Sequence, residues 1–197
     1  AASSFTCSDS YGSSSYEATR VIYRYLTQSR AFRYNDKGSA MVILALDLAT
    51  KTGWRTATAG GSWDLTQKRD ESAGMRLIRF KAKLIEVCEV EKIDLVVFER
   101  AAGFHVGAVI VQSELQGVMK EYLESRKMQY KAYSASEIKK YATGKGNANK
   151  VAMLEAAKNR LGYQGNDLAE VDARWLYELA VKDLGQYITK KNSYANG

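Results

Sequence analysis

A chain of 197 residues with 46% hydrophobic and 26% charged residues can bury one ordinary core, which argues against a disordered chain. No apolar run approaches the roughly 18 residues that a membrane-crossing helix needs. The formal net charge of +7 suits a nucleic-acid partner, because Lys and Arg displace counterions from phosphates, and suits equally a basic protein that binds nothing.

Residues 1–40 differ from the rest: a Ser-rich stretch from Ala1 to Ser15, a short helix predicted over Tyr16 to Phe32, then a turn at Asn35, Asp36, Lys37 and Gly38. This arm reads as an N-terminal extension, native, left from cloning, or a cleaved organelle-targeting segment, with Met41 as a candidate start. A single domain is expected over residues 41–190. Val42 to Ala49 is an apolar run broken only by Asp47, the pattern of a buried strand. A turn at Thr50 to Gly53 follows, then a strand over Trp54 to Ala59, a hairpin signal at Gly60-Gly61 and a third strand over Ser62 to Thr66. Glu71 to Glu91 carries apolar residues at helical spacing. A fourth strand, Ile93 to Phe98, ends at Glu99; a helix spans Val106 to Lys127, and a fifth strand Met128 to Tyr133. Helices over Ser136 to Ala142, Asn149 to Leu161 and Asp167 to Asp183 complete the chain. A three-strand meander followed by alternating helices and strands predicts an α/β fold, with a five-stranded mixed sheet flanked by helices.

Two cysteines far apart, Cys7 and Cys88, form no metal spacing or disulfide framework, so a reducing compartment is expected. His105 is the one histidine, which leaves zinc and Ser-His-Asp chemistry poorly supplied and carboxylates as the catalytic candidates. Asp47 lies inside Val-Ile-Leu-Ala-Leu-Asp-Leu-Ala, and Glu99 follows Asp-Leu-Val-Val-Phe. A carboxylate in such surroundings costs several kcal/mol unless it is paired or holds a metal. On parallel neighbouring strands both acids would stand at the C-terminal edge, where open α/β sheets place ligands. A third acidic group spans Asp167, Glu170 and Asp172, ahead of the apolar positions Trp175, Leu176, Leu179 and Ala180. Converging carboxylates repel one another, and hard divalent cations such as Mg²⁺, with Mn²⁺ as a substitute, relieve the repulsion and promote phosphodiester cleavage. Each acid also has a structural reading: Asp47 as a turn cap, Glu99 paired with Arg100, Asp167 as a helix cap, Glu170 in solvent.

These residues resemble the RuvC-type Holliday junction resolvases of the RNase H-like superfamily. Ile43-Leu44-Ala45-Leu46-Asp47-Leu48-Ala49 with Thr52-Gly53-Trp54 is similar to the first-strand motif, and Val96-Val97-Phe98-Glu99 to the second. Ile138 to Lys150, with its G-x-G-x-A-x-K core, is similar to the lysine-bearing segment, and Asp172-Ala173 to the closing motif. The match spans about Val42 to Ala180, with the four motifs in the family's order. It implies an RNase H-like fold and a homodimer that cuts two strands of a four-way DNA junction with Mg²⁺, in the cytoplasm of a bacterial or phage-infected cell or in an organelle. Asp47, Glu99 and Asp172 would be metal ligands and catalytic residues, with Lys139 and Lys150 near the scissile phosphate. Lys140, Lys145 and Arg100 would be further DNA contacts, and Phe104 would stack on an unpaired base. One departure stands out: the family's fourth acid or histidine, three residues before the last Asp, falls here on Ala169. Asp167 is the preferred substitute over Glu170, a pattern nearer to phage-type members. The alternatives are a related nuclease acting on flaps, forks or RNA–DNA hybrids and a non-catalytic branched-DNA-binding module. An actin-like or sugar-kinase ATPase is disfavoured by the chain's length.

Overall fold

The computed structural model describes residues 41–102 and 105–195. The N-terminal arm and Phe104 therefore lie outside the described residues. The sheet contains β1 (Ile43–Asp47), β2 (Lys51–Arg55), β3 (Gly60–Asp64), β4 (Leu95–Glu99) and β5 (Gln129–Tyr133), in the spatial order β3-β2-β1-β4-β5. β1, β2 and β3 form an antiparallel meander, whereas β4 runs parallel to both β1 and β5. The helices are α1 (Gly74–Glu91), α2 (Val106–Ser125), α3 (Ala135–Thr143), α4 (Lys150–Leu161) and α5 (Leu168–Ala195). The five-stranded mixed α/β architecture is the one the hydrophobic pattern predicts. No helix among the described residues is long and apolar enough to cross a membrane.

The alternation of side chains along a strand divides the core into two layers. Leu44, Leu46, Val96 and Phe98 join a buried cluster with Phe80, Leu84 and Cys88 of α1 and Leu115, Met119 and Leu123 of α2. The intervening residues Ile43, Ala45, Leu95 and Val97 are also buried and face the opposite side, where α5 crosses β1 and β2. Val171, Trp175, Leu176 and Ala180 of α5 are fully buried there. A sheet covered on both faces explains why β1 and β4 read as continuous apolar runs. Asp47 and Glu99 share the parity of Ala45 and Val97, so both belong to the α5 side.

Two predicted turns shift. The first comprises Leu48 to Thr50, and β2 starts at Lys51, because the Thr52 hydroxyl donates to the Ala49 carbonyl at 2.7 Å and closes the bend earlier. Gly60 and Gly61 lie within β3; the turn before them is closed by Thr56, whose amide and hydroxyl both donate to the Ala59 carbonyl, at 2.8 and 3.2 Å. A threonine side chain thus performs the turn-closing role that the glycine pair suggested. α5 also extends beyond the predicted end at Asp183. A glycine in the middle of α2, Gly117, suggests close helix packing, yet it is exposed, and no other group of the described residues lies within 4 Å of where its β-carbon would stand. Close packing within the chain does not account for it.

Candidate active site

The first two carboxylates meet through strand register. Leu46 pairs with Phe98 across the parallel β1–β4 ladder, and one residue further on come Asp47 and Glu99. The third arrives through a glycine. Gly53 is paired with Asp47 in the β1–β2 ladder, and α5 approaches it so closely that a β-carbon there would stand 1.8 Å from the Ala169 carbonyl oxygen. The Ala173 methyl is 3.2 Å from the same point. Only a residue without a side chain lets α5 rest on β2 at this level, and Asp172 lies between those two contact residues in sequence. The Thr52-Gly53 pair of the first motif thus positions a carboxylate from the far end of the chain.

All three acids are raised by burial, and Asp47 and Glu99 also sense the charge of Asp172. Desolvation pushes the Asp47 carboxyl well above its ordinary range, and the charges of Asp172 and then Glu99 push it further. Glu99 is raised by burial first and by Asp172 second. Asp172 is raised chiefly by burial. Lys150 opposes these shifts at all three acids, and Lys139 opposes them at Glu99 and Asp172. Lys150 Nζ stands 4.0 Å from Asp172 Oδ2 with its side chain 70% exposed. Among the described residues, no three His, Cys, Asp or Glu side chains are gathered into a ready-made metal cage.

The lysines are placed by helix caps. α3 starts with a capping box, Ser134 with Glu137, and ends at Gly144, whose φ of 81° requires the left-handed conformation. Asn149 caps α4 by accepting from the Ala152 amide at 2.9 Å, which makes Lys150 the first helical residue. A cation at the positive end of a helix dipole is unfavourable for stability, so this position needs the nearby carboxylates or an anionic ligand to offset it. Lys140 and Lys145 are exposed on α3 and the loop beyond it, and neither perturbs the three acids. Arg100 is exposed after β4; its amide donates to the Tyr133 carbonyl at 2.8 Å, and its charge reaches Glu137. His105 is exposed at the start of α2, with no side-chain cap bond.

Asp167 lines the same cleft as Asp47 and Lys150, but protein donors engage both its carboxylate oxygens. Its Oδ1 accepts from the Ala169 amide at 3.1 Å, and its Oδ2 accepts from Ser62 Oγ at 2.7 Å and pairs with Lys51 Nζ at 2.9 Å. Partial burial would raise its pKa, but the bonds from Lys51, Ser62 and Ala169 outweigh that and lower it. Glu170 is engaged elsewhere, accepting from Tyr163 Oη at 3.1 Å and pairing with Arg174 at 3.5 Å. Sequence reasoning missed Gln116. Its side chain is buried, and Nε2 donates to the Glu99 carbonyl at 3.1 Å, fixing the end of β4 to α2. A polar residue on the apolar face of a predicted helix was the available signal.

No family model matches the chain. Its fold is similar to that of Thermus thermophilus RuvC solved in complex with a Holliday junction substrate: TM-score 0.60, 18% identity, 71% of this chain and 92% of that one covered. A second Thermus thermophilus RuvC structure gives a TM-score of 0.58 at 18% identity over the same shares. The yeast mitochondrial Holliday junction resolvase Ydc2 gives 0.51 at 12% identity, covering 78% of this chain and 84% of its own. The described chain carries the RNase H-like fold of the RuvC-type Holliday junction resolvases.

Proposed function

We propose that this protein is a structure-selective endodeoxyribonuclease that resolves four-way DNA junctions by metal-dependent phosphodiester hydrolysis. The observation that carries the reading is the convergence of Asp47, Glu99 and Asp172, all three raised by burial, with Asp172 raising the other two and Lys150 opposing the shift at each. Asp172 raises both Asp47 and Glu99, and Glu99 adds to the shift at Asp47.

The donor set is all oxygen and anionic, which fits Mg²⁺ or Mn²⁺ and suits zinc poorly. Asp47, Glu99 and Asp172 would hold the ion, and Asp167 stays outside this set because protein donors engage both its oxygens. A bound divalent cation supplies charge neutralisation and Lewis-acid polarisation of the phosphate. Lys150 and Lys139 favour the ionised carboxylates and meet the negative charge of the scissile phosphate. Lys140, Lys145 and Arg100 extend this basic surface along the DNA backbone, positioning it without reading sequence. Symmetric resolution needs two such sites, so the working assembly is a homodimer.

The test is cleavage of a labelled synthetic four-way junction beside linear duplex, flap and RNA–DNA hybrid, with Mg²⁺ and with EDTA. Paired nicks confined to the junction and lost in EDTA are expected. Cutting of flaps or hybrids in preference would replace the substrate, and binding without cutting would leave a DNA-binding module.

A further inference from the structure

A cleft of about 540 Å³ opens beside Asp47, many times the roughly 30 Å³ share of one water and thus roomier than a lone ion requires. Its lining includes two ammonium groups, Lys150 near Asp172 and Lys51 against Asp167. Lys51 opens β2 and shares the side-chain parity of Gly53, so it belongs to the face that carries Asp47. Ser62 is paired with Gly53 and lies on that face as well.

Asp167 is built as a post for this lysine. Its Oδ1 is taken by the α5 amide of Ala169, and its Oδ2 by Ser62 and Lys51. Lys51 is nevertheless 58% exposed along its side chain. An ion pair this exposed adds little to stability, so retention of the fold does not explain why two strands and a helix cap converge on it. The ammonium has three N–H donors and can keep Asp167 while offering another to an anion in the cleft.

Resting on the nuclease reading above, we infer that Lys51, held by Asp167 and Ser62, is a contact for a backbone phosphate flanking the cut position. Asp167 is then a positioning residue for Lys51. The phosphodiester chain passes between Lys51 and Lys150, with the carboxylates beside it.

The experiment is fluorescence anisotropy with a labelled four-way junction and a linear duplex, in EDTA, between about 50 and 200 mM salt. Lys51→Gln should reduce the slope of log Kd against log salt by about one for each protomer engaged, hence by about two for a homodimer on a junction. Lys51→Arg should retain the slope. Asp167→Asn keeps the lysine charge but loosens its position; nicking should fall about tenfold with an unchanged Mg²⁺ midpoint. An unchanged slope in Lys51→Gln would overturn the inference while leaving the nuclease reading intact. A shifted Mg²⁺ midpoint in Asp167→Asn would make Asp167 a metal ligand and also overturn it. Wild-type protein that binds neither DNA would remove the nuclease reading, and this contact with it.

Discussion

Gly53→Ala tests how the third carboxylate reaches the other two. The added methyl would lie 1.8 Å from the Ala169 carbonyl oxygen and 2.4 Å from its carbon, where ordinary contact begins near 3.4 Å. The obstacle is helix backbone, which cannot rotate aside, so α5 must retreat at this point by roughly 1.5 Å. Overpacking of this kind costs about 1–3 kcal/mol, and 1 kcal/mol moves Tm by about 2–4 °C in a protein of this size. Asp172 travels with the helix, and a displacement of about 1 Å can lower an enzymatic rate on the order of 100-fold. Scanning fluorimetry should therefore show a folded protein with a lowered Tm, and junction nicking should fall about 100-fold while junction binding persists. Gly61→Ala is the control: there a β-carbon would meet the Trp54 ring no closer than 3.5 Å, an ordinary contact. Wild-type Tm and nicking in Gly53→Ala would refute the close-approach argument.

The remaining predictions concern charge and support. Asp47 has a folded pKa raised above its unfolded value. The folded state therefore holds the proton more tightly, and without metal the fold loses stability as pH rises from the ordinary carboxylate range through the folded pKa. Each unit of that difference is worth about 1.4 kcal/mol, so Asp47→Asn in EDTA should melt higher than wild type at pH 8 and not at pH 3; a lower Tm at pH 8 would contradict the assigned burial and repulsion. Lys150→Gln removes a cation that lowers all three pKa values. The acid limb of the pH–rate profile should move to higher pH, and nicking should drop about tenfold or more; an unmoved profile would detach Lys150 from the acids. Gln116→Leu leaves the Glu99 carbonyl without its donor, at a cost of about 1–3 kcal/mol, seen as a Tm lowered by several degrees or, if the bond is unimportant, not at all.

What the sequence disclosed and what it concealed follow from distance along the chain. Asp47 and Glu99 were legible because a carboxylate inside an apolar run is conspicuous without a partner in view. The sheet was legible because both faces of β1 and β4 are buried, leaving unbroken runs. The turns shifted because threonine hydroxyls close them, and a hydroxyl is a weaker signal than a Gly-Gly pair. Asp167 reads locally as a cap, and the structure bears that out through the Ala169 amide. Its bond to Ser62 spans 105 residues and has no local trace. Gly53 was recognised as part of a motif, but its reason is an approach by a helix more than 100 residues later. Gln116 was hidden within an apolar helix whose buried face it shares with Leu115 and Met119.

The most direct test of the central claim compares wild type with Asp47→Asn, Glu99→Gln and Asp172→Asn on a labelled four-way junction, measuring nicking with Mg²⁺ and binding in EDTA. Each substitution should abolish nicking while junction affinity is kept or increased, since each removes negative charge beside the DNA without touching Lys139 or Lys150. Nicking that survives loss of any one of the three carboxylates would contradict the account.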